Sequence, residues 1–564
     1  MDADWVARFA DEVIAEAERR APGKPIVCAS GLSPSGPIHL GNLREVMTPH
    51  LVADEIRRRG HECVHILSWD DFDRFRKVPA GVDPSWSEHI GKPLTSVPAP
   101  AGSPYPNWAE HFKAPMAAAL AELGVEFRGI SQTEMYGSGA YREQVLLAMR
   151  ERKTIDAILD QYRTKANPGS KTAAKTVDEE EAAALEGSGA AGEDDGSGVG
   201  GYYPYKPYCS VCDRDLTTVT SYDDETTALA YTCACGHAET VMLAEHTHGK
   251  LVWKVDWPMR WAFEGVVFEP SGVDHSSPGS SFVVGGQIVR EIFGGAQPIG
   301  PMYAFVGISG MAKMSSSKGG VPTPADALSI MEPALLRWLY ARRRPNQSFK
   351  VSFDQEIQRM YDEWDTLSKK IADGSALPAD QAAYRRATST ASVTLSETPR
   401  RLPYRTLASV VDITTGHEEQ TLRILREFDH EISGLDELRP RLDRAQHWVT
   451  TYVPAEERTQ VREEPDTALL DTLGDIERES LRLLSDNLEA HWSLDGLTTL
   501  VYGVPKMQAG LDLSAKAATP ELKAAQRTFF ALLYRLLVGR ETGPRLPTLL
   551  LAVGRDRVRK LLGT

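Results

Sequence analysis

Pro25-Ile26-Val27-Cys28-Ala29-Ser30-Gly31-Leu32-Ser33-Pro34-Ser35-Gly36-Pro37-Ile38-His39-Leu40-Gly41-Asn42 is the stretch on which the fold turns. Its apolar start, Pro25 to Ala29, predicts a strand, and the Gly/Ser/Pro-rich piece Ser30 to Gly36 predicts a turn. Beyond it Leu43, Val46, Met47, Leu51, Val52 and Ile56 recur at helical spacing until Gly60, and His61 to Leu67 predicts a second strand. Strand, glycine-rich turn, helix and strand form the first βαβ unit of a doubly wound α/β sheet of Rossmann type. Upstream, Trp5, Val6, Phe9, Val13 and Ile14 mark an amphipathic helix ending near Arg20.

Working outward, 1–72 is the first half of the Rossmann domain and 73–243 an inserted region. Within the insertion, 166–200 holds eight acidic residues against Lys171 and Lys175 and almost nothing apolar, which predicts a disordered excursion. The sheet resumes over 244–320, with strand-like runs at Leu251 to Val255, Val266 to Phe268 and Met302 to Ile308 and a helix near Ser280 to Phe293. From Pro322 the pattern is helical almost throughout, divided into 321–375 and 376–564, with Trp338, Leu339, Met360, Tyr361, Trp364, Leu367, Trp448, Phe529, Phe530, Leu533 and Leu536 as core anchors.

The 564 residues suffice for three or four cores. No stretch of about 18 uncharged apolar residues occurs, and the first residues lack a basic-then-apolar signal, so no membrane partner and a cytoplasmic location are expected. A net charge of −15 argues superficially against a nucleic-acid partner, but the acidic excursion carries −6 of it, leaving −9 for the rest.

His39 and Asn42, three apart at a helix start behind a strand, share one face where free N–H groups favour phosphate, and Gly41 permits a flat base close to the backbone. Pro34, Ser35 and Gly36 complete that turn. Lys313-Met314-Ser315-Ser316-Ser317-Lys318-Gly319-Gly320 follows a predicted strand and suits a polyphosphate whose charge grows on the leaving group. A structural cap for His39 and a polar surface loop for 313–320 are the plain alternatives; the two segments in this order, on either side of an insertion, favour ATP. Together they resemble the HIGH and KMSKS signatures of class I aminoacyl-tRNA synthetases. Asn42 replaces the last His of the first signature and Ser316 the fourth residue of the second, so Lys313 matches directly while Lys318, two places later, is a candidate substitute. The resemblance implies adenylation of an amino acid by ATP and transfer to tRNA, with Mg²⁺ held by phosphate oxygens and water.

Trp253, Trp257 and Trp261 with Asp256, followed by Asp274-His275, offer the aromatic faces and carboxylates that a cationic substrate needs, although each Trp could equally be core. With Ser33 to Gly36, the acidic Asp70-Asp71-Phe72-Asp73 and Arg76-Lys77-Val78-Pro79, this block resembles class I lysyl-tRNA synthetases over nearly the whole chain outside the acidic excursion. Gly31, Ser33, Trp253, His275 and Tyr303 would then line an L-lysine pocket, 321–375 would contact the stem of tRNA(Lys), and 376–564 its anticodon. Asp70, Asp256 and Asp274 are candidate ammonium partners on chemistry alone, with helix capping or pairing to Arg260 and Arg76 as their ordinary role.

Cys209-x-x-Cys212 and Cys233-x-Cys235 have zinc-ribbon spacing within 205–240, predicting a closed structural Zn²⁺ site, with His237 as alternative ligand or outer partner. Arg337 with Arg342 to Arg344, Arg400-Arg401 with Arg405, and Arg555-Arg557-Arg559-Lys560 could meet phosphates, and Tyr404, Trp448 or Tyr452 could stack on bases; solvated helix faces are the alternative. Competing readings are a nucleotidylyltransferase, a glutamyl- or glutaminyl-type synthetase, and a zinc-ribbon nucleic-acid-binding protein without catalysis. No DNA partner is expected.

Overall fold

The computed structural model describes residues 4–163, 197–198, 201–272, 279–310, 320–395, 402–516 and 518–564. Two units emerge: 1–328 with 333–353 and 367–396, and 329–332 with 354–366 and 397–564.

In the first unit, α1 (Trp5–Arg20) leads to β1 (Ile26–Leu32), α2 (Leu43–Arg58) and β2 (Cys63–Trp69). β1 runs through Gly31 to Leu32, so the turn begins later than its Ser/Gly composition suggests. α3 (Trp108–Glu122) precedes β3 (Arg128–Ser131), which pairs parallel with β2 and places a strand of the main sheet inside the stretch read as inserted. A three-stranded antiparallel ribbon follows, β4 (Thr217–Tyr222), β5 (Ala228–Cys233) and β6 (Ala238–Met242). The acidic excursion lies outside the described residues except Ser197–Gly198, paired with Gly201–Tyr202.

The chain returns through α4 (Trp253–Glu264) to β7 (Val266–Phe268), which pairs parallel with β1 on the side away from β2. The main sheet therefore has the order β7-β1-β2-β3, all parallel, with a switch point between β1 and β7. Leu251 to Val255 is not a strand: Gly249–Leu251 pairs with Tyr205–Pro207, and the helix begins at Trp253. Its indoles, four residues apart, lie along one helix face, so burial against the sheet rather than strand periodicity explains the apolar run. α5 (Ser281–Glu291) covers α4. Met302 to Ile308 is broken into Met302–Tyr303, which pairs with Ser271–Gly272, and β8 (Val306–Ser309). After α6 (Pro333–Ala341), β9 (Phe349–Ser352) pairs parallel with β8, an interruption of the otherwise helical region.

Among its described residues the second unit holds eight helices of eight residues or more between Tyr404 and Leu562. Leu481, Leu484, Leu500, Phe529, Leu533 and Leu536 form its core, as helical periodicity predicts. Arg441 is fully buried and pairs with Glu332 at 2.9 Å and Asp365 at 2.8 Å. Tyr404 and Trp448 are buried too, Tyr404 against Tyr361 with ring centroids 4.1 Å apart, so they support the core and are not free to stack on a base. No helix among the described residues is long and apolar enough to cross a membrane.

Candidate active site

The carboxyl ends of β1, β2 and β7 open onto a cavity of about 60 Å³, where parallel α/β sheets place their ligands. Of the residues read as a lysine pocket, Gly31, Asp70, Trp253 and Tyr303 line it. A methyl group at Gly31 would lie 3.9 Å from Asp70 Oδ2 and 4.0 Å from Glu45 Oε1, so the absent side chain leaves room between the two carboxylates. Ser33 stands just past the strand, outside the lining. Asp256 is fully buried behind the wall, its oxygens taken by the Tyr136 hydroxyl and Arg260; a carboxylate so engaged is a support for Arg260 and is not available to a ligand. Asp274 and His275 fall outside the described residues.

Two lining residues escaped the sequence reading and dominate the electrostatics. Glu45, in the first turn of α2, accepts bonds from the Tyr303 hydroxyl and the Gly31 N–H. Glu269, just past β7, accepts the indole N–H groups of Trp257 at 3.0 Å and Trp261 at 2.7 Å. The other lining carboxylates have cations: Asp70 pairs with Arg260 at 2.6 Å and Glu264 with Arg128 at 2.7 Å. Among the described residues, Glu45 and Glu269 are thus hydrogen-bonded only by neutral donors. Burial, with Glu269 and Asp70 nearby, pushes the Glu45 carboxyl up to about 8; burial pushes Glu269 up to about 7 against the pull of its two indoles, and Asp70 up to about 6 against Arg260. A bound cation would reverse these shifts. Glu269 was visible as a charge ending an apolar strand, the position where α/β enzymes keep their chemistry; Glu45 had no comparable signal, being one acid among the apolar positions of a helix.

The phosphate-side turn lies at the carboxyl end of β1. His39 caps a short 3-10 turn, Leu40–Asn42, before α2 begins at Leu43. Asn42 Oδ1 accepts the His39 N–H at 3.2 Å, so this side chain secures the turn. The Trp108 indole holds the Ser35 carbonyl at 3.1 Å, Pro34 is buried, and a methyl group at Gly36 would touch Pro79 at 3.5 Å. Nothing stands within 4 Å of a methyl group at Gly41, leaving that backbone open to a ligand. Among the described residues His39 Nδ1 is buried without a partner, and burial holds the ring's proton affinity down despite a bond to the Val321 backbone, so the imidazole is neutral at pH 7. Leu40 N–H donates to the Pro322 carbonyl at 2.8 Å. Lys313, Met314, Ser315, Ser316, Ser317 and Lys318 lie outside the described residues, yet the chain directly behind them, 321–322, is bonded to the His39 turn.

Within the ribbon, one sulfur from each of Cys209, Cys212, Cys233 and Cys235 gathers within 4.8 Å of the others. Cys209 Sγ and Cys235 Sγ are 3.8 Å apart and Cys212 Sγ and Cys233 Sγ 3.6 Å, close to the edge of about 3.8 Å of a tetrahedron with 2.3 Å metal–sulfur bonds. His237 is not one of the four; its Nε2 lies 3.2 Å from Ser210 Oγ and 3.3 Å from Glu239.

Of the arginines read as phosphate contacts, Arg337 is fully buried. It donates to the Leu123 carbonyl at the end of α3, to the Arg386 carbonyl and to His50, satisfying chain ends that would otherwise be unpaired. Arg400 and Arg401 fall outside the described residues, and Arg405 pairs with Asp362. Arg557 and Arg559 donate to backbone carbonyls of their own unit.

A parallel sheet with an acidic cavity at its switch point and a His-x-x-Asn turn beside it has the layout of the class I aminoacyl-tRNA synthetases. The family model described as tRNA synthetases class I (K) matches residues 3–394, and the chain belongs to that lysine-type family. The chain is 74% identical to a lysine–tRNA ligase of Streptomyces coelicolor, over 99% of this chain and 98% of that protein. It is 32% identical to one of Thermococcus kodakarensis, over 99% of each, and 30% identical to one of Treponema pallidum, over 99% and 98%.

Proposed function

We propose that the chain is a lysine–tRNA ligase. It joins L-lysine to ATP, giving lysyl-adenylate and pyrophosphate, and then transfers lysine to the 3′ end of tRNA(Lys) in the cytoplasm. The observation that carries the substrate assignment is the cavity holding Glu45 and Glu269, two carboxylates that among the described residues accept hydrogen bonds from neutral donors only. An ammonium group placed there gains charge-assisted bonds and relieves their mutual repulsion. The glutamyl-type alternative is disfavoured by the same feature, since an anionic substrate side chain would add a further like charge.

In the first step a lysine carboxylate oxygen attacks the α-phosphorus as the bond to the pyrophosphate oxygen breaks; in the second a ribose hydroxyl of the tRNA attacks the adenylate carbonyl and AMP leaves. No protein nucleophile is required, so the chain's work is positioning and charge stabilisation. Glu45 with Tyr303 holds the side-chain ammonium, and Gly31 leaves space for the substrate. His39 stands on the phosphate side, its ring tied to the Val321 backbone, and Gly41 and Asn42 shape the turn on which the nucleotide rests. Lys313 and Lys318 meet the pyrophosphate. Mg²⁺ would arrive with ATP, its charge offsetting that of the phosphates. Zn²⁺ would be held by the four cysteines, organising the ribbon without taking part in the reaction.

ATP–pyrophosphate exchange with each of the twenty amino acids tests the assignment: lysine alone stimulates exchange, and stimulation by another amino acid in its place sinks it. Elemental analysis of the purified protein returns about one zinc per chain; a chain that charges tRNA and is folded without zinc would remove the metal from the account.

A further inference from the structure

We infer that Glu269 is a positioning and specificity-determining residue of the amino-acid cavity: it pins the tryptophan stack of α4 and supplies a second negative charge that selects a cationic side chain. The inference rests on the reading of this cavity as the lysine pocket. Glu269 stands at the carboxyl end of β7, and each carboxylate oxygen takes one indole N–H, Trp257 at 3.0 Å and Trp261 at 2.7 Å. These two rings lie four residues apart on one face of α4 with centroids 5.0 Å apart. One turn earlier Trp253 stacks on Trp257 at 5.1 Å with planes 18° apart, and its ring faces the Arg260 guanidinium at 5.5 Å. α5 closes the stack from behind, where a methyl group at Gly285 would come within 3.0 Å of the Trp261 ring. All three indoles line the cavity. The orientation of its aromatic wall is therefore held at one end by a single carboxylate.

A carbonyl or amide oxygen could accept an indole N–H without burying a charge. A buried carboxylate is costly unless a cation answers it, and the nearest guanidinium, Arg260, is already shared by Asp70 and Asp256. The groups facing Glu269 among the described residues are Glu45 on α2, Asp70 behind β2, and Arg260 on α4, with Glu264, Tyr141 and Tyr303 on the same cavity wall. Glu45 and Glu269 thus form an acid pair whose full ionisation requires a cation in the cavity. Because both its oxygens are engaged, Glu269 acts through the indoles and through space, whereas Glu45 meets the ligand.

The test is lysine-dependent ATP–pyrophosphate exchange by the full chain, comparing the unaltered protein with Glu269→Gln and Trp261→Phe between pH 6 and 8.5. The amide keeps the shape but can accept only one indole and carries no charge. The KM for lysine should rise about tenfold or more in Glu269→Gln with the KM for ATP nearly unchanged, and its dependence on pH should flatten. Trp261→Phe keeps a ring but removes one donor to the carboxylate, so its lysine KM should rise at neutral pH and recover toward pH 8.5. A Glu269→Gln protein whose lysine KM and pH profile match the unaltered chain overturns the inference, as does a loss confined to kcat. Should Glu269→Gln not fold, a pH-independent lysine KM in Trp261→Phe overturns it equally. Absence of lysine stimulation in the unaltered chain is a different failure, that of the functional reading itself.

Discussion

Glu45 shows at the scale of one residue how the fold alters the acidity of an ordinary side chain. Its carboxyl is held up to about 8 by burial and by Glu269 and Asp70, so below that pH the empty cavity holds a proton there that an incoming ammonium must displace. Lysine keeps its ammonium groups throughout pH 6 to 8.5, and the linkage therefore has one sign: the KM for lysine falls as pH rises toward about 8, by up to about tenfold per pH unit, and then levels off. Exchange assays at pH 6.5, 7.5 and 8.5 measure this, and a flat profile would contradict it. Glu45→Gln should raise the lysine KM about a hundredfold or more, equivalent to about 2–5 kcal/mol for a buried charge partner, and leave the KM for ATP in place. His39→Ala should lower the exchange rate about a hundredfold with an unchanged circular dichroism spectrum; normal exchange would remove His39 from the phosphate site. The His39 turn was legible in the sequence because its spacing is local. The ionisation of Glu45 was not, since it depends on carboxylates that arrive from other strands.

Between residue and molecule stand the segments that bring the elements into register. The acidic run after β2 divides its charges: Asp70 takes Arg260 from α4, Asp73 takes Lys250, and Asp71 accepts Lys113 of α3 at 2.6 Å, Ser131 at 2.7 Å and the Thr133 N–H at 2.9 Å. Asp71 is fully buried, so Asp71→Asn should cost about 3 kcal/mol, read as a lower urea midpoint, while the KM for lysine stays within about twofold of normal because the residue lies outside the cavity. The run was legible as a cluster of acids, and the partner of each was not, because those partners lie far along the chain. For the same reason Leu251 to Val255 could be read as a strand: a short apolar run does not distinguish a buried strand from the first turn of a buried helix. Arg337 misled in the opposite direction, for a guanidinium that satisfies the carbonyls of Leu123 and Arg386 looks in sequence like one waiting for phosphate.

Over the whole molecule, buried histidines set an acid limit. His50 and His65 are both enclosed, with burial the largest cause of their lowered proton affinity; His65 is held down to about 3. The unfolded chain protonates them near pH 6.5, so their contribution to stability is complete above that value and is lost as pH falls below it, by up to about 1.4 kcal/mol per pH unit for each ring. Urea midpoints measured at pH 7, 6 and 5 should fall, and His65→Asn should make the fall shallower. The sequence alone determined the class of protein: strand, turn and helix periodicities are written in neighbouring residues, and the ordered His39 and Lys313 segments and the four cysteines carry recognisable spacings. Tertiary structure alone decided the charge of the cavity. β7 pairs with β1 only after the chain has passed through the insertion, and that pairing brings Glu269 to the cavity wall shared with Glu45. Burial and mutual repulsion, which no local pattern encodes, then raise the proton affinity of both carboxylates.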